Sequence, residues 1–518
     1  MQKLTNKPFF LFALSFLAGA MVTILSGLYT GFHVAGNDFW SLLYYGRHIS
    51  WGEKESLYNG FYPIGYAFLI GQFPYGYAIQ LSYLTNALLA GLLIAFISSL
   101  VFATRSILAA FLAFAFSVTI PAIFVYSNTV GPDIGTAAFT AFAVYLLWRD
   151  LLAGKGKSDS ILKAVLIGVS LGLAALWRSH AIVSSVVILS VYFLTTGFRP
   201  LRPKLIIVGF FLGVFCLQVL ANLLSGHGLY ETAQNFNIYK LLHPIDWTHP
   251  PSPAEIEKFS LLETFRNDPQ TVLDAYLPWF QFLVSFAWPG ALCVLIAPWK
   301  SPISKYGLFT APVIVLYAIP LALGDSLRAQ VTIMGLFLSS LALGVVALIT
   351  RVRSLTDSKK WLPPVVMALI FAASLYPISQ WVIADRAFLA ENRAEHRVFV
   401  SIEQVLLARG LTSPDQAFAD RLDFYFPDLP PYLPRQIESF FNDWVWGYSD
   451  EYIPLPNDSW ETFATACREQ DIRFLVLSPN SAYRGDFFLP IYESKFDPDM
   501  LGLTFIAQRG KTRIYRFK

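Results

Sequence analysis

The sequence has little charge and almost no cysteine. Charged residues make up 14% of the 518 residues, whereas an ordinary soluble domain carries about 25%. Cys216 and Cys293 lie in apolar runs and Cys467 is the third, which excludes a disulfide framework and a cysteine metal site. No Walker A, GxGxxG, GxSxG or HExxH pattern stands in a usable context. With 55% hydrophobic residues, such a chain requires lipid.

The small positive net charge gives no support for nucleic-acid binding. The chain has a formal net charge of +3, but residues 382–518 contain more acidic than basic residues. The basic excess therefore belongs to the apolar part of the chain, where it is not gathered into a nucleic-acid-binding surface.

Long apolar runs predict a polytopic α-helical membrane protein with about eleven transmembrane helices. A run of roughly 17 to 25 apolar residues is long enough to cross the hydrocarbon core of a bilayer. The predicted spans are residues 8–29, 77–103, 107–125, 134–148, 162–177, 181–197, 205–224, 279–298, 306–323, 331–350 and 361–381. The runs 134–148 and 162–177 are short enough for a tilted or re-entrant arrangement.

Lysine and arginine in the short connections predict the orientation, because they concentrate on the cytoplasmic side. They occupy alternate connections: Lys3 and Lys7, Arg105, residues 149–163, residues 199–204, Lys300 and Lys305, and residues 351–360. The N-terminus is therefore predicted to be cytoplasmic, with segment 30–76 and the tail from 382 on the other side. The first run could instead be a signal peptide cleaved near Ala18-Gly19-Ala20, but its length favours an anchor.

The chain changes character after the last predicted span. Residues 382–518 are mixed and polar, with a helical pattern near 391–409 and short strand patterns at 473–477 and 512–517. We therefore predict a membrane module over residues 1–381, with a candidate catalytic loop at 30–76, and a small α/β extracytoplasmic domain over residues 382–518.

Two carboxylates are predicted at the outer membrane boundary. Asp38 follows Gly36-Asn37 and opens a short amphipathic helix that Gly46 is placed to end, so that it lies along the membrane surface. Asp133 follows Gly131-Pro132 at the outer start of the fourth span. Each is also a normal helix-capping or first-turn residue. Ionisable groups this close to hydrocarbon are costly and often functional, so the pair is a candidate site.

Cations and tyrosines accompany these acids on the same side. Arg178 and His180 lie in a very short outer turn, and Arg328 lies in another, where the orientation rule does not favour cations. Each could simply end a helix or pair with a nearby acid. Tyr62 and Tyr66 belong to an aromatic segment before the second span that is also typical of an interfacial belt.

A metal site is not predicted from the sequence. Lys240, His243, Asp246 and His249 lie close together in the 225–278 loop, but their spacing matches no metal-ligand pattern. Metal dependence itself stays open.

In its order of motifs the chain resembles the GT-C superfamily of integral-membrane glycosyltransferases, in particular the protein O-mannosyltransferase and aminoarabinose-transferase-like branch. The resemblance is carried by Gly36-Asn37-Asp38, Gly46-Arg47, the segment 61–66, Gly131-Pro132-Asp133, the segment 172–178 that ends in Trp177-Arg178, and Arg328. Relatives commonly have an acidic pair where this chain has Asn37-Asp38, and often tyrosine where it has Ala329.

The resemblance implies an inverting transfer of a hexose or pentose from a polyprenyl-phosphate donor to a hydroxyl of a lipid, glycan or protein. Asp38 would be the general base and Asp133 would position the acceptor or a cation. Arg178, His180 and Arg328 would stabilise the departing phosphate, Tyr62 and Tyr66 would contact substrate, and no cofactor is implied. The expected location is a bacterial inner membrane.

Two other classes remain open at this point. A transporter or lipid flippase would favour charges at the midplane of the spans and inverted repeats, and neither stands out. A membrane scaffold with an extracytoplasmic binding domain would not need the loop acids.

Overall fold

A computed structural model gives the fold of the chain. It describes residues 7–518 except 32, 35, 53–57, 59, 61, 154–159, 198–199, 227, 230–233, 244–250, 252, 323–325, 357–364, 366–371, 373–375, 422–423, 430–452 and 480–486.

The N-terminal part consists of helices with two very short strands. In chain order these are α1 (Lys7–Thr30), β1 (His33–Val34), α2 (Gly36–Trp51), α3 (Ile64–Gly71), α4 (Ala78–Phe102), α5 (Ile107–Thr119), α6 (Ala122–Asn128), β2 (Thr129–Val130), α7 (Asp133–Ala153), α8 (Ile161–Trp177), α9 (Ala181–Thr196) and α10 (Leu201–Leu224).

Eleven further helices and four strands follow among the described residues. They are α11 (Gln234–Leu242), α12 (Pro253–Lys258), α13 (Leu261–Asn267), α14 (Pro269–Ser285), α15 (Trp288–Ile296), α16 (Pro302–Leu321), α17 (Ser326–Thr332), α18 (Met334–Thr356), α19 (Tyr376–Ala408), β3 (Ala417–Ala419), α20 (Trp460–Glu469), β4 (Phe474–Leu477), α21 (Phe488–Tyr492), β5 (Leu503–Arg509) and β6 (Thr512–Phe517).

The membrane character is clear, but the predicted count of eleven spans is not confirmed. Among the described helices, α1, α4, α10, α16 and α18 are long and apolar enough to cross a bilayer, and two bent helix pairs raise the number to seven. The shorter α8 and α9 are apolar too. Ten of the eleven predicted runs coincide with helices. The eleventh, 361–381, lies mostly outside the described residues.

Two of the predicted spans are broken helices. The run predicted at 107–125 is divided into α5 and α6, which meet at 53°. Ile120 has extended backbone angles directly before Pro121, as expected because the proline ring disfavours a helical conformation in the preceding residue. The run at 279–298 is bent by 44° between α14 and α15, where Pro289 lies in the first turn of α15.

Helix α2 does not end at Gly46, contrary to the prediction. It continues to Trp51, and Gly46 instead lets α3 approach closely. A Cβ atom at Gly46 would lie 1.9 Å from the carbonyl oxygen of Ala67, and one at Gly71 would lie 2.3 Å from the carbonyl carbon of Gly46. The glycine is thus explained by a helix–helix contact. Phe39 on α2 is fully buried in protein, so this face packs on the rest of the chain.

The C-terminal segment forms a small mixed α/β unit. Its four-stranded sheet has the order β3-β4-β6-β5, with β3 and β4 parallel and the other pairs antiparallel. Alternate residues of a strand point to opposite faces. Phe474 and Val476 join the main core, whereas Leu475 and Leu477 pack with α20 and α21 in a second core.

Helix α19 connects this unit to the helical part. It is 33 residues long, and its side chains contact the C-terminal end of α1. The Arg393 guanidinium lies 3.9 Å from the centre of the Tyr29 ring, and His396 packs directly on Gly31. The C-terminal unit therefore contacts the end of α1 that leads into β1 and α2.

Candidate active site

A two-residue parallel ladder brings the two predicted acids together. Strand β1 pairs with β2 in the register His33 with Thr129 and Val34 with Val130. Asp38 lies in the first turn of α2 just after β1, and Asp133 opens α7 just after β2. The chain thus reaches both carboxylates from adjacent strands that run in the same direction.

Asp38 accepts hydrogen bonds on both carboxylate oxygens. The Tyr62 hydroxyl donates to Oδ1 at 2.7 Å, and Nη1 of Arg328 donates to Oδ2 at 2.5 Å. The side chains of Asp38 and Arg328 are each 23% exposed. Burial raises the pKa of Asp38, but Arg328, Arg178 and the Tyr62 hydroxyl outweigh it and hold the pKa below its usual value. The carboxyl is therefore ionised at neutral pH.

Asp133 forms a bidentate ion pair with Arg178. Nε of Arg178 donates to Oδ1 at 2.9 Å and Nη2 donates to Oδ2 at 3.1 Å, a geometry that fits the planar guanidinium to the carboxylate. The Asp133 side chain is 2% exposed. Nε of Arg328 lies 3.9 Å from Oδ2 of Asp133, so Arg328 bridges the two acids.

Trp177 fixes the position of Arg178. Helix α8 ends at Trp177, and Arg178 has extended backbone angles before α9 begins. The indole packs edge-on against Tyr66 and Phe139, with ring centroids 5.2 Å and 5.0 Å apart. Gly135 leaves room for this ring in α7, since a Cβ there would be 1.9 Å from Cζ3 of Trp177.

Helix α17 presents Arg328 and Thr332 one turn apart on the same face. The Tyr317 hydroxyl donates to the Ala329 carbonyl at 3.0 Å and anchors this short helix on α16. Nε2 of His180 is 3.0 Å from the Thr332 hydroxyl oxygen. The turn between α8 and α9 is therefore joined to α17 both through Asp133 and through His180.

The imidazole of His180 is uncharged in this setting. Burial and the nearby Arg178 lower its pKa to about 3, although Asp133 acts in the opposite direction. His180 is therefore a neutral hydrogen-bonding group. The sequence-based assignment of His180 as a third cation does not fit this environment.

The two predicted tyrosines have different surroundings. Tyr62 contacts Asp38 directly, and burial followed by the Asp38 charge raises the pKa of its hydroxyl well above 10, so the hydroxyl stays protonated and donates. Tyr66 is fully buried, packs on Trp177 and has its hydroxyl 3.5 Å from Oδ1 of Asn86. Tyr66 therefore supports Trp177 in this structure.

No metal cluster is evident among the described residues. In that part of the chain, no group of three His, Cys, Asp or Glu side chains is arranged to hold a metal ion. Of the four residues considered in the 225–278 loop, Asp246 and His249 lie outside the described residues.

No protein-family model and no curated protein matches the sequence. Solved structures do match the fold. ArnT from Cupriavidus metallidurans bound to undecaprenyl phosphate aligns with a TM-score of 0.53 at 15% identity, over 97% of both chains. The chain has the GT-C fold. The apo form of ArnT aligns with a TM-score of 0.52 at 14% identity, again over 97% of both chains.

A lower similarity extends to the archaeal oligosaccharyltransferase AglB from Archaeoglobus fulgidus in complex with an inhibitory peptide and a dolichol-phosphate. It has a TM-score of 0.47 at 12% identity, and covers 98% of this chain and 74% of AglB. The two ArnT alignments confirm the expected resemblance to GT-C enzymes, at the level of the fold alone. Function has to be argued from the site, because one fold can carry several activities.

Within the GT-C fold, Asn86 of α4 is a site-supporting residue that the sequence analysis missed. Its Nδ2 donates to the carbonyl oxygens of Thr129 and Gly131 at 3.1 and 3.4 Å, which fixes the segment before Asp133. The available signal was an amide in the middle of an apolar span, where an unpaired polar group is costly.

A second missed group attaches the outer loop to α10. The Tyr58 hydroxyl donates to Oδ1 of Asn222 at 2.7 Å, and Gln218 accepts from the backbone N–H of Ile64 at 2.8 Å. Gln218 also donates to the Tyr58 hydroxyl. Gln218 and Asn222 are four residues apart on an otherwise apolar helix, and this spacing was a readable signal for a shared partner.

Proposed function

We propose that this protein is an inverting glycosyltransferase that moves a sugar from a polyprenyl-phosphate donor to a hydroxyl acceptor at the outer membrane boundary. The observation that carries the proposal is the bridge of Arg328 between Asp38 and Asp133. A carboxylate that could act as the base is then in direct contact with a guanidinium that could bind the phosphate. The shared fold with ArnT, whose structure contains undecaprenyl phosphate, supports the same donor class.

Asp38 is the group we assign as general base. The acceptor oxygen attacks the anomeric carbon, its proton passes to Asp38, and the bond between the anomeric carbon and the phosphate oxygen breaks. The electrons of that bond leave with the polyprenyl phosphate. The Tyr62 hydroxyl, 2.7 Å from Oδ1, keeps the carboxylate oriented through these steps.

The departing phosphate needs compensation of its charge more than it needs a proton. Arg328 and Arg178 supply the guanidinium groups for this, in a partly buried site where such interactions are strong. His180 contributes a neutral hydrogen bond. Asp133, bidentate with Arg178, has the role of holding that cation in place. No step of this mechanism is assigned to a metal ion.

Both acids lie in connections that the lysine and arginine pattern predicts to be extracytoplasmic. The contacts of α19 with the C-terminal end of α1 support a C-terminal domain, residues 382–518, on the same side as the site. We therefore propose that the domain borders the path of the acceptor. In a bacterium, this arrangement corresponds to the outer face of the inner membrane.

The test is transfer of labelled sugar from a panel of polyprenyl-phosphate donors in proteoliposomes, with and without EDTA. Asp38→Asn should lower turnover by at least about a hundredfold, because the base is removed while the Tyr62 contact can persist. Asp150→Asn is the matched control. Asp150 is a partly buried carboxylate near the other end of α7, paired with Lys163, and its loss should leave turnover nearly unchanged.

Three results would contradict the proposal in different ways. Full activity of Asp38→Asn would remove Asp38 from the mechanism. Equal losses in both variants would indicate a general loss of folding. Absence of transfer from every donor, together with lipid movement across the vesicle membrane, would favour a flippase.

A further inference from the structure

One guanidinium serves two anions in the proposed reaction. Arg328 is bound to Asp38 at 2.5 Å, yet the mechanism also needs it for the phosphate of the donor. A carboxylate paired with a guanidinium has little affinity for a proton. While it is paired with Arg328, Asp38 is therefore oriented for the reaction but poorly able to accept the proton.

Of the two arginines, Arg328 is the one that can change partner. Arg178 holds Asp133 through two hydrogen bonds, and that carboxylate is 2% exposed, so breaking the pair would strand a buried charge. Arg328 and Asp38 are each 23% exposed, and Arg328 lies 3.9 Å from Asp133. Asp133 can thus retain Arg328 at the site after the guanidinium has left Asp38.

We propose that Arg328 is an exchange residue: the donor phosphate displaces Asp38 from Arg328, so that Asp38 becomes an effective base only when the donor is bound. The proposal rests on the function proposed above and adds an order to it. Tyr62 stays on Oδ1 during the exchange and keeps the released carboxylate directed at the acceptor. An acceptor hydroxyl that enters before the donor meets an Asp38 carboxylate that is still paired with Arg328 and accepts a proton poorly.

The exchange requires a measurable coupling between Asp38 and the phosphate. If Asp38 competes for Arg328, the ionised carboxylate weakens phosphate binding, and its removal should strengthen it. Coupling between two sites typically changes an affinity by about 5- to 150-fold. Because Asp38 is partly exposed, we expect its effect on phosphate affinity to lie near the lower end of this range. We therefore expect Asp38→Asn to bind a polyprenyl phosphate about five- to tenfold more tightly than the wild type.

Protonation should have the same effect as the substitution. The charged groups that face Asp38 are Arg328 and Arg178, and the Tyr62 hydroxyl also donates to it. When Arg328 leaves for the phosphate, the first of the groups that lower the pKa of Asp38 is lost, so the pKa of its carboxyl rises on binding. A tenfold coupling corresponds to a rise of only about one pH unit from a pKa below the ordinary 3.8, so the affinity of the wild type should stay nearly constant from about pH 8 to about pH 5 and should increase only in stronger acid.

The experiment is equilibrium binding of labelled undecaprenyl phosphate to the full-length protein in nanodiscs. Asp38→Asn is compared with the wild type at pH 8 and at pH 5. Because Asp38→Asn lacks the carboxyl group, any pH dependence of its binding measures the titration of the ligand itself. Asp150→Asn is the matched control, because it also removes a partly buried carboxylate with a cationic partner, Lys163, but lies outside the site. It should leave the affinity within about twofold of the wild type.

The proposal is supported if Asp38→Asn binds about five- to tenfold more tightly than the wild type at pH 8 and still binds more tightly than the wild type at pH 5. Equal or weaker binding by Asp38→Asn, with a wild type that binds, overturns the exchange and leaves the glycosyltransferase proposal intact. Tighter binding by Asp150→Asn as well would show a general effect of removing a negative charge and also overturn the exchange. A wild type that binds no undecaprenyl phosphate contradicts the proposed donor class itself. If Asp38→Asn does not fold, Asp38→Ser gives the same decision.

Discussion

Trp177 lies against Gly135 so closely that a Cβ at this glycine would be 1.9 Å from Cζ3 of the indole. Gly65 makes a similar approach from the other side, where a Cβ would be 2.6 Å from Cδ1 of Trp177. The indole is therefore enclosed between α7 and α3. Because Arg178 is the next residue, this packing sets where its guanidinium meets Asp133.

Gly135→Ala should displace the indole and with it Arg178. Overpacking of a dense interior costs about 1 to 3 kcal/mol, and we expect a lower melting temperature together with reduced sugar transfer. Thermal unfolding in detergent and the proteoliposome transfer assay measure the two effects. Unchanged activity would mean that the position of Trp177 does not control Arg178.

Gly209→Ala is the control for this substitution. Gly209 lies in α10, and a Cβ there meets nothing within 4 Å. Alanine is favoured over glycine in helices by up to about 1 kcal/mol, so this variant should be as stable as the wild type or slightly more stable. A loss of stability equal to that of Gly135→Ala would argue against a specific clash.

The helices could be predicted from the sequence because lipid requires long apolar runs, and ten such runs coincide with helices. The breaks were missed, although Pro121 stood within the run predicted at 107–125. Gly46 was misread because a glycine that ends a helix and a glycine that admits a neighbouring helix look alike in sequence. Only the partner, Gly71 on α3, distinguishes them.

The charged residues of the candidate site could be predicted from the sequence, because a charged residue next to a long apolar run is unusual and often functional. Asp38, Asp133, Arg178 and Arg328 do come together in the structure. Their pairing was not predictable, because it depends on the β1–β2 ladder and on the approach of α17. The neutral state of His180 depends on burial by elements far away in the sequence.

Tyr62 and Tyr66 should respond differently to loss of the hydroxyl group. Tyr62→Phe removes the 2.7 Å hydrogen bond to Asp38 and should lower the rate of sugar transfer about tenfold, because the base loses its orientation. Tyr66→Phe removes the contacts of the hydroxyl with Asn86, Ser82 and the Gly131 backbone but keeps the ring against Trp177, so the rate should stay within about twofold. The steady-state rates of sugar transfer by the two variants test this difference. A larger loss for Tyr66→Phe would restore Tyr66 as a substrate-contacting residue.

Arg178→Lys should impair the site although it keeps the positive charge. A lysine ammonium cannot donate the two parallel hydrogen bonds that Arg178 gives Asp133. We expect transfer to fall about ten- to a hundredfold and the melting temperature to decrease. Arg473→Lys is the control, because Arg473 makes the same bidentate contact with Asp471 on the exposed surface of the C-terminal domain. It should leave both the melting temperature and the transfer rate nearly unchanged, because an exposed ion pair contributes little to stability. Comparable losses in both variants would exclude a specific role for Arg178.

The pH dependence of transfer should contain no contribution from His180. Burial and Arg178 lower the pKa of this residue to about 3, so the ring stays neutral from pH 5 to pH 8 and gains a proton only in stronger acid. A phosphodiester sugar donor has no titration of its own in this range, and the wild-type profile of kcat/KM should lack a step near pH 6 to 7. His180→Gln can still hydrogen-bond Thr332, and it should retain at least about half of the activity with the same profile. A step in the wild type that disappears in His180→Gln would show that His180 is charged during the reaction, as the sequence alone suggested.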